Sequence, residues 1–367
     1  MRIVVWAGMP VLAHMGMRVH YLLPAALGKL GHEVFYCPSS WETDIPNVPD
    51  YMKNEVVPYI KVVSPSDFYD LFPADIFIYI FTTPLKDENV ERKLLSFLPN
   101  LREMTSFVVY YCSDLWEGWT RNFPVHQWES EIVRNSTHIF AVSPQLCVHL
   151  SRKYQREVFL LPNATPPWFK PLPPPKEHRH KIAFVVGWSY HRNLNEFLTL
   201  AKEFSDWDFY WIGGASGDSG TIGHSPIGNA FLLSDKLPHE VSSMARTSMV
   251  GIVPGNRTWF SYFNDPAKWY IYHGCGLPVV STHIPQYTYT HFYPFTFVGK
   301  NLREGFRKFL SELPSINYPV PFSPVHTYEH RARTFLEVLR GESKGYGRSL
   351  PTYSSWREVY DEGQKGT

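Results

Sequence analysis

Two apolar periods alternate along the chain. It opens on Arg2–Ala7 (RIVVWA), a continuous apolar run of strand length that suits burial on both faces of a sheet, and is read as a strand rather than as a signal peptide. After a Gly/Pro/Met-rich loop, Val19, Leu22, Leu23, Ala26, Leu27 and Leu30 fall on one face of a helix. Gly31 is placed to end that helix and Pro24 is expected to kink it. Residues 33–37 (EVFYC) read as the next strand, completing a βαβ unit. Apolar runs at 75–81, 106–112, 138–142 and 158–161 extend the same parallel sheet, so the first half is α/β.

At residues 162–175 (PNATPPWFKPLPPP) the periodicity stops, and seven prolines describe a stiff, extended connector. The chain then repeats its opening theme. Residues 181–186 read as a strand, residues 193–204 as a helix with Leu194, Phe197, Leu198 and Ala201 on one face, and Asp208–Ile212 as the next strand. Strands at 231–233, 249–253 and 278–281 and helices at 240–247 and 266–274 complete a second series. In the tail, Tyr328, Ala332, Phe335, Leu336 and Leu339 form an apolar stripe, and Ser355 with Glu358 has the capping-box spacing ahead of a short helix. The pattern divides the chain into a first domain at 1–165, a linker at 166–176, a second domain at 177–340 and a tail at 341–367 that packs back on the first domain. Two Rossmann-like sheets joined in this way leave a cleft between them, where ligands of such folds bind.

Composition narrows the classes. A chain of 367 residues with 44% hydrophobic and 19% charged residues can bury two cores, which excludes general disorder. The net charge of +1 supplies no global attraction to nucleic acid, so nucleic acid is not an expected partner, while a local basic patch for peripheral membrane contact stays open. Cys37, Cys112, Cys147 and Cys275 lie far apart with no CxxC pair, which suits reduced, buried thiols and a cytoplasmic protein. No apolar run approaches the ~20 residues that span a bilayer. The 16 histidines form neither HExxH nor a compact cluster with carboxylates, so no metal is expected. Nothing in the pattern separates a monomer from a homodimer.

The densest chemistry lies in residues 264–281 (NDPAKWYIYHGCGLPVVS). Asp265 is read as a helix N-cap, Pro266 as the first helical residue, and Lys268 then falls in the first turn. A cation is misplaced there for the helix alone, because the N-terminal dipole already favours an anion. Lys268 is either a solvated surface lysine or, with the helix N–H groups, half of a diphosphate site.

Here the chain resembles the GT-B glycosyltransferases of the large families 1 and 4, which carry Pro-x-Lys-x-x-Glu-Tyr, a small-residue turn and Gly-x-Pro-Val-Val; Pro266, Lys268, Tyr272, Gly274, Gly276, Pro278, Val279 and Val280 stand in that register. The resemblance implies the diphosphate role for Lys268. It also brings a departure, since Ile271 stands where many members have a Glu that binds the donor ribose. Residues 185–193 look like the family's glycine loop, which implies donor contacts from Gly187, Ser189 and Arg192. Residues 234–240 occupy the base-recognition loop, so backbone near Lys236 and Leu237 would read the nucleobase.

In the first half, residues 108–116 (VVYYCSDLW) are similar to a strand-end segment of exopolysaccharide-type, glucuronosyltransferase-like transferases. That puts Asp114 at the carboxyl end of a parallel strand, as a base for an acceptor hydroxyl or simply as a cap on the following turn. His14, Arg18 and His20 follow the first strand and are candidates for donor phosphate or acceptor hydroxyls. Leu161, Pro162 and Asn163 match the family's strand end before the linker, and residues 326–332 resemble a closing helix. The expectation is a GT-B glycosyltransferase of polysaccharide biosynthesis, without a metal or other cofactor, that passes a sugar from a nucleotide-sugar donor, UDP- favoured over GDP-, to a hydroxyl of a glycan or lipid-linked acceptor. Two alternatives share the fold: a catalytically silent nucleotide- or glycan-binding subunit, which Ile271 keeps in play, and a sugar-nucleotide epimerase.

Overall fold

The computed structural model describes residues 1–7, 19–38, 50–81, 88–114, 125–169, 179–186, 194–213, 227–233, 236, 238–254, 263, 265–282 and 295–345. The chain divides into two compact units, one made of Met1–Ala164, Phe263–Asp265 and Val325–Pro351, the other of Thr165–Tyr262, Pro266–Pro324 and Thr352–Thr367.

In the first unit the order is β1 (Arg2–Ala7), α1 (Val19–Lys29), β2 (Glu33–Pro38), α2 (Asp50–Glu55), β3 (Lys61–Val62), β4 (Ala74–Phe81), α3 (Glu88–Met104), β5 (Thr105–Cys112), α4 (Val125–Asn135), β6 (His138–Ala141), α5 (Pro144–Tyr154) and β7 (Phe159–Leu160). The seven strands form one sheet in the order β3-β2-β1-β4-β5-β6-β7, and every pairing is parallel. The middle strands are apolar in both directions, as a sheet covered by helices requires, and Ile3 to Ala7 and Ile76 to Ile80 are buried throughout. Helix α1 runs through Pro24, which has no N–H to give the carbonyl of His20 one turn earlier.

The second unit repeats the plan with β8 (Ile182–Val186), α6 (Leu194–Glu203), β9 (Asp208–Ile212), β10 (Ala230–Leu233), α7 (Pro238–Thr247), β11 (Val250–Val253), α8 (Ala267–Gly274), β12 (Val279–Thr282), β13 (Thr296–Gly299) and α9 (Leu302–Glu312). Its six parallel strands run β10-β9-β8-β11-β12-β13. The core joins strand residues such as Val185, Phe209 and Ile252 to Phe197 and Leu200 of α6 and to Leu302, Phe306 and Phe309 of α9.

The last helix, α10 (Tyr328–Leu339), corrects the sequence reading, which closed the second domain at 340. It belongs to the first unit, where it packs on α1. The cause is visible in Arg331, only 2% exposed, whose guanidinium donates to the carbonyls of Pro162 (3.0 Å), Asn163 (3.1 Å) and Val325 (2.7 Å). A buried guanidinium needs acceptors for its N–H groups, and these carbonyls draw the helix to residues 162–163. The short helix expected at residues 355–360 lies outside the described residues. All four cysteines are free and buried.

Candidate functional site

In both sheets the chain builds outward from a first strand, then returns to that strand's other side. Loops leaving the two strands at such a reversal diverge, and the crevice at their carboxyl ends is where doubly wound folds take ligands. In the second unit the reversal lies between β8 and β11. These strands pair only at Val250 with Ala183 and Gly251 with Phe184. Beyond that point the Tyr272 hydroxyl stands between them: it accepts from the N–H of Val186 at 2.9 Å and donates to the carbonyl of Ile252 at 3.0 Å. One side chain from α8 therefore replaces the next rung of the ladder and keeps both backbone groups satisfied while the strands part.

Tyr272 is fully buried, and its ring packs edge-on against Phe184 at 5.1 Å. The ring fits only because residue 251 is glycine: a Cβ there would lie 2.2 Å from Cγ of Tyr272. At the other end of α8, Gly276 has φ +71 and closes the helix. A Cβ at Gly276 would also sit 2.3 Å from Cβ of Pro319. Trp269 stacks on His273 at 4.6 Å and donates to Thr296 Oγ1 at 2.9 Å. Burial holds the His273 imidazole neutral, with its pKa lowered to about 4.

Lys268 lies in the first turn of α8 and is half-buried. Among the described residues it has no carboxylate partner, and no side chain caps the helix. Because α8 follows β11, this start lies at the carboxyl edge of the sheet. Asp265 does not act as expected. The helix begins one residue later, with Pro266 extended at the N-cap position (φ −70, ψ 97). The Asp265 carboxylate accepts the backbone N–H of Asn163 at 2.5 Å, and its carbonyl accepts from Asn163 Nδ2 at 2.9 Å, all within the first unit. Its charge is spent on a backbone anchor. Ile271 is 1% exposed, in the buried stretch Trp269–Gly274 of α8. Lys236 is half-buried and pairs with Glu240 at 3.5 Å. Gly187, Ser189, Arg192, Leu237, His14 and Arg18 lie outside the described residues.

In the first unit, Ser113 and Asp114 leave the carboxyl end of β5, with Asp114 half-buried and its carbonyl accepting from Cys112 Sγ at 3.0 Å. His20, on the first turn of α1, places Nε2 3.3 Å from Ser113 Oγ. His20 is 4% exposed and Ser113 9%, so the pair is largely shielded from water. The structure thus brings an imidazole and a hydroxyl together beside Asp114. Residues 108–114 alone pointed only to Asp114. Among the described residues no three His, Cys, Asp or Glu side chains converge as a metal site would need, and no helix is long and apolar enough to cross a membrane.

No protein-family model matches the chain. No curated protein matches it either. Solved structures do. An α-glucosyltransferase in complex with UDP and a 13-mer DNA containing a HMU base superposes with a TM-score of 0.58 over 99% of both chains, at 14% identity. OtsA in its apo form gives 0.58 over 96% of this chain and 100% of that one, at 13% identity. A Listeria monocytogenes protein described as a UDP-N-acetylglucosamine 2-epimerase gives 0.52 over 95% of this chain and 99% of that one, at 10% identity. At such identities the likeness is one of fold: two α/β units of the GT-B type.

Proposed function

We propose that the chain is a glycosyltransferase that binds a nucleoside-diphosphate sugar through its second unit and passes the sugar to an acceptor hydroxyl. The observation that carries this reading is Lys268: a half-buried cation with no carboxylate partner among the described residues, on a helix start that no side chain caps, at the carboxyl edge of a sheet whose first strands are held apart. A lysine there costs the helix stability and is compensated by a diphosphate. The α-glucosyltransferase neighbour was solved with UDP, which supports UDP over GDP as the nucleotide. Lysine and helix N–H groups offset the diphosphate charge, so the reading calls on no metal or other cofactor.

Asp114 is then the base. It takes the proton of the acceptor hydroxyl as that oxygen attacks the anomeric carbon, the bond to the diphosphate breaks, and the nucleoside diphosphate leaves with inversion. His20 orients the Ser113 hydroxyl next to it. If a leaving-phosphate oxygen takes the proton instead, the configuration is retained, so the anomeric form of the product distinguishes the two. The acceptor is a glycan or lipid-linked hydroxyl. The DNA in the α-glucosyltransferase complex adds hydroxymethylated DNA to the acceptors worth testing, although a net charge of +1 argues against it.

Calorimetric titration with UDP, GDP, ADP and dTDP tests the donor half. One diphosphate should bind, and Lys268→Ala should weaken it by roughly 10- to 100-fold, the worth of one charge-assisted contact. If none of the four binds the intact protein, the donor reading fails. A silent subunit and an epimerase are separated from the transferase by whether donor is consumed only when an acceptor is present.

A further inference from the structure

The first unit carries a second cluster of charge away from Asp114. Helices α3, α4 and α5 each run into the strand that follows them, so their C-terminal ends lie at the amino edge of the sheet, opposite the edge that bears Ser113 and Asp114. A cavity of about 670 Å³ opens there, and Arg102, Arg134, Lys153 and Arg156 all line it, with Ser130 and Tyr154 beside them. Glu131 pairs with Arg134 at 2.8 Å, and Glu129, 1% exposed, meets Lys153 at 2.5 Å while also accepting from Tyr110 at 3.0 Å and Tyr154 at 2.6 Å.

Cations gather at helix C-termini for ordinary reasons. That account covers Arg156, which donates to the carbonyls of Val133 (2.6 Å), Ser136 (2.8 Å) and Thr137 (3.1 Å). It does not cover the rest. The end of α3 is served by Thr105, whose hydroxyl donates to the carbonyl of Leu101 at 2.7 Å, and the end of α5 by Gln155, which donates to the carbonyl of Arg152 at 2.7 Å. Among the described residues Arg102 and Arg134 donate to no helix-end carbonyl, and Arg102 has no carboxylate partner. Burial, and after it the charge of Arg102, hold Arg156 below the ordinary arginine range. Two guanidinium groups that line one cavity repel one another, and an anion bound between them would relieve that repulsion.

We propose that this cavity is a binding site for a phosphate-bearing ligand, separate from the sugar-transfer site, with Arg102 and Arg134 as its accessible contacts and the half-buried Arg156 as its wall. The volume admits a phosphorylated headgroup or a free phosphate ester, and both present the same dianion to a guanidinium fork.

The test uses full-length protein saturated with its nucleoside diphosphate, or Lys268→Ala protein if none binds. Inorganic phosphate and pyrophosphate are titrated by calorimetry in one arm. In the other, co-sedimentation compares phosphatidylcholine vesicles with vesicles that also contain phosphatidic acid. The paired variant Arg102→Glu/Arg134→Glu, at two exposed positions that cap no helix, should lose on the order of 10-fold or more in whichever arm binds, with nucleotide affinity unchanged. Binding in the first arm alone identifies a soluble phosphate ligand, and binding to phosphatidic acid vesicles identifies a lipid headgroup. No binding in either arm, or equal binding by the variant, overturns the proposal. The wall is checked by Arg156→Lys, which should weaken the same binding without changing the far-ultraviolet circular dichroism; unchanged binding removes Arg156 from the site.

Discussion

The two sheets follow one strand order and differ at the point where it reverses. In the first, β1 and β4 stay paired to the last residue of β1, Ala7 against Ile80. In the second, β8 and β11 part after two pairs, and a tyrosine hydroxyl occupies the next position. A zipped reversal gains its stability from backbone bonds and leaves little room between the strands. A propped one hands two backbone groups to a side chain and frees the strand ends beyond it. The same topology is zipped in one unit and propped open in the other, the difference rests on Gly251 and Tyr272, and the proposed donor site uses the propped one.

The strongest way to break that difference is to fill the space of the prop. In Gly251→Val the new Cβ would meet three ring atoms of Tyr272 at 2.2 to 2.6 Å. Overpacking of this kind costs about 3 kcal/mol or more, and it should also displace the hydroxyl from Val186 and Ile252. Denaturant unfolding followed by a probe in each unit should show the second unit losing stability while the first holds. Equal loss in both would mean that the reversal is not where the strain falls.

Acid should act on the same unit with a slightly smaller effect. The His273 ring is neutral in the fold, with its pKa lowered to about 4, whereas an unfolded histidine titrates near 6.5. Below about pH 6.5 the unfolded chain binds a proton that the folded one refuses, so stability falls with pH down to about 4, by about 3 kcal/mol in all. The variant His273→Phe, which keeps a ring against Trp269, removes this dependence. Its melting temperature should lose less than that of the parent between pH 7 and pH 4; parallel curves would show that the folded imidazole binds its proton no less readily than the unfolded one.

How much of this could be read from the residues depends on whether the signal is local. Strands such as Arg2–Ala7, Asp208–Ile212 and Val279–Thr282 are visible in the sequence because a strand buried on both faces must be apolar throughout. Strand β3, at Lys61–Val62, is only two residues long and at the sheet edge, and carries no such run. The helix stripe of Tyr328–Leu339 was plain, yet its unit was not, since only the fold shows that Arg331 reaches the carbonyls of residues 162 and 163. The same holds at the candidate site. Lys268 announced itself by sitting at the wrong end of a helix. Asp265 looked like a cap because the residue before Pro266 usually is one, and nothing local says that the N–H of Asn163, about a hundred positions away, takes its carboxylate. Tyr272 read as one letter of a motif; a glycine in the middle of β11 was the available hint that a ring approaches there.

The mildest changes sharpen the comparison most, because they remove one oxygen and nothing else. In Tyr272→Phe the ring stays, while the N–H of Val186 and the carbonyl of Ile252 lose a partner in a buried place, at a cost of about 2 kcal/mol. Nucleoside diphosphate affinity should fall with it, because β8 and β11 can then close on one another or let water between them. Tyr111→Phe is the matching change in the first unit. There the hydroxyl of an equally buried tyrosine donates to the carbonyl of Leu161, at 2.9 Å, and has no other partner among the described residues. Its loss should cost about 1 kcal/mol and leave diphosphate binding untouched, since one carbonyl with a second lone pair tolerates the change better than a donor and an acceptor together. Measured side by side, the two variants separate a tyrosine that only holds a fold together from one that holds a site open. If both lower diphosphate affinity equally, the prop between β8 and β11 has no special part in ligand binding, and the second sheet is a frame like the first.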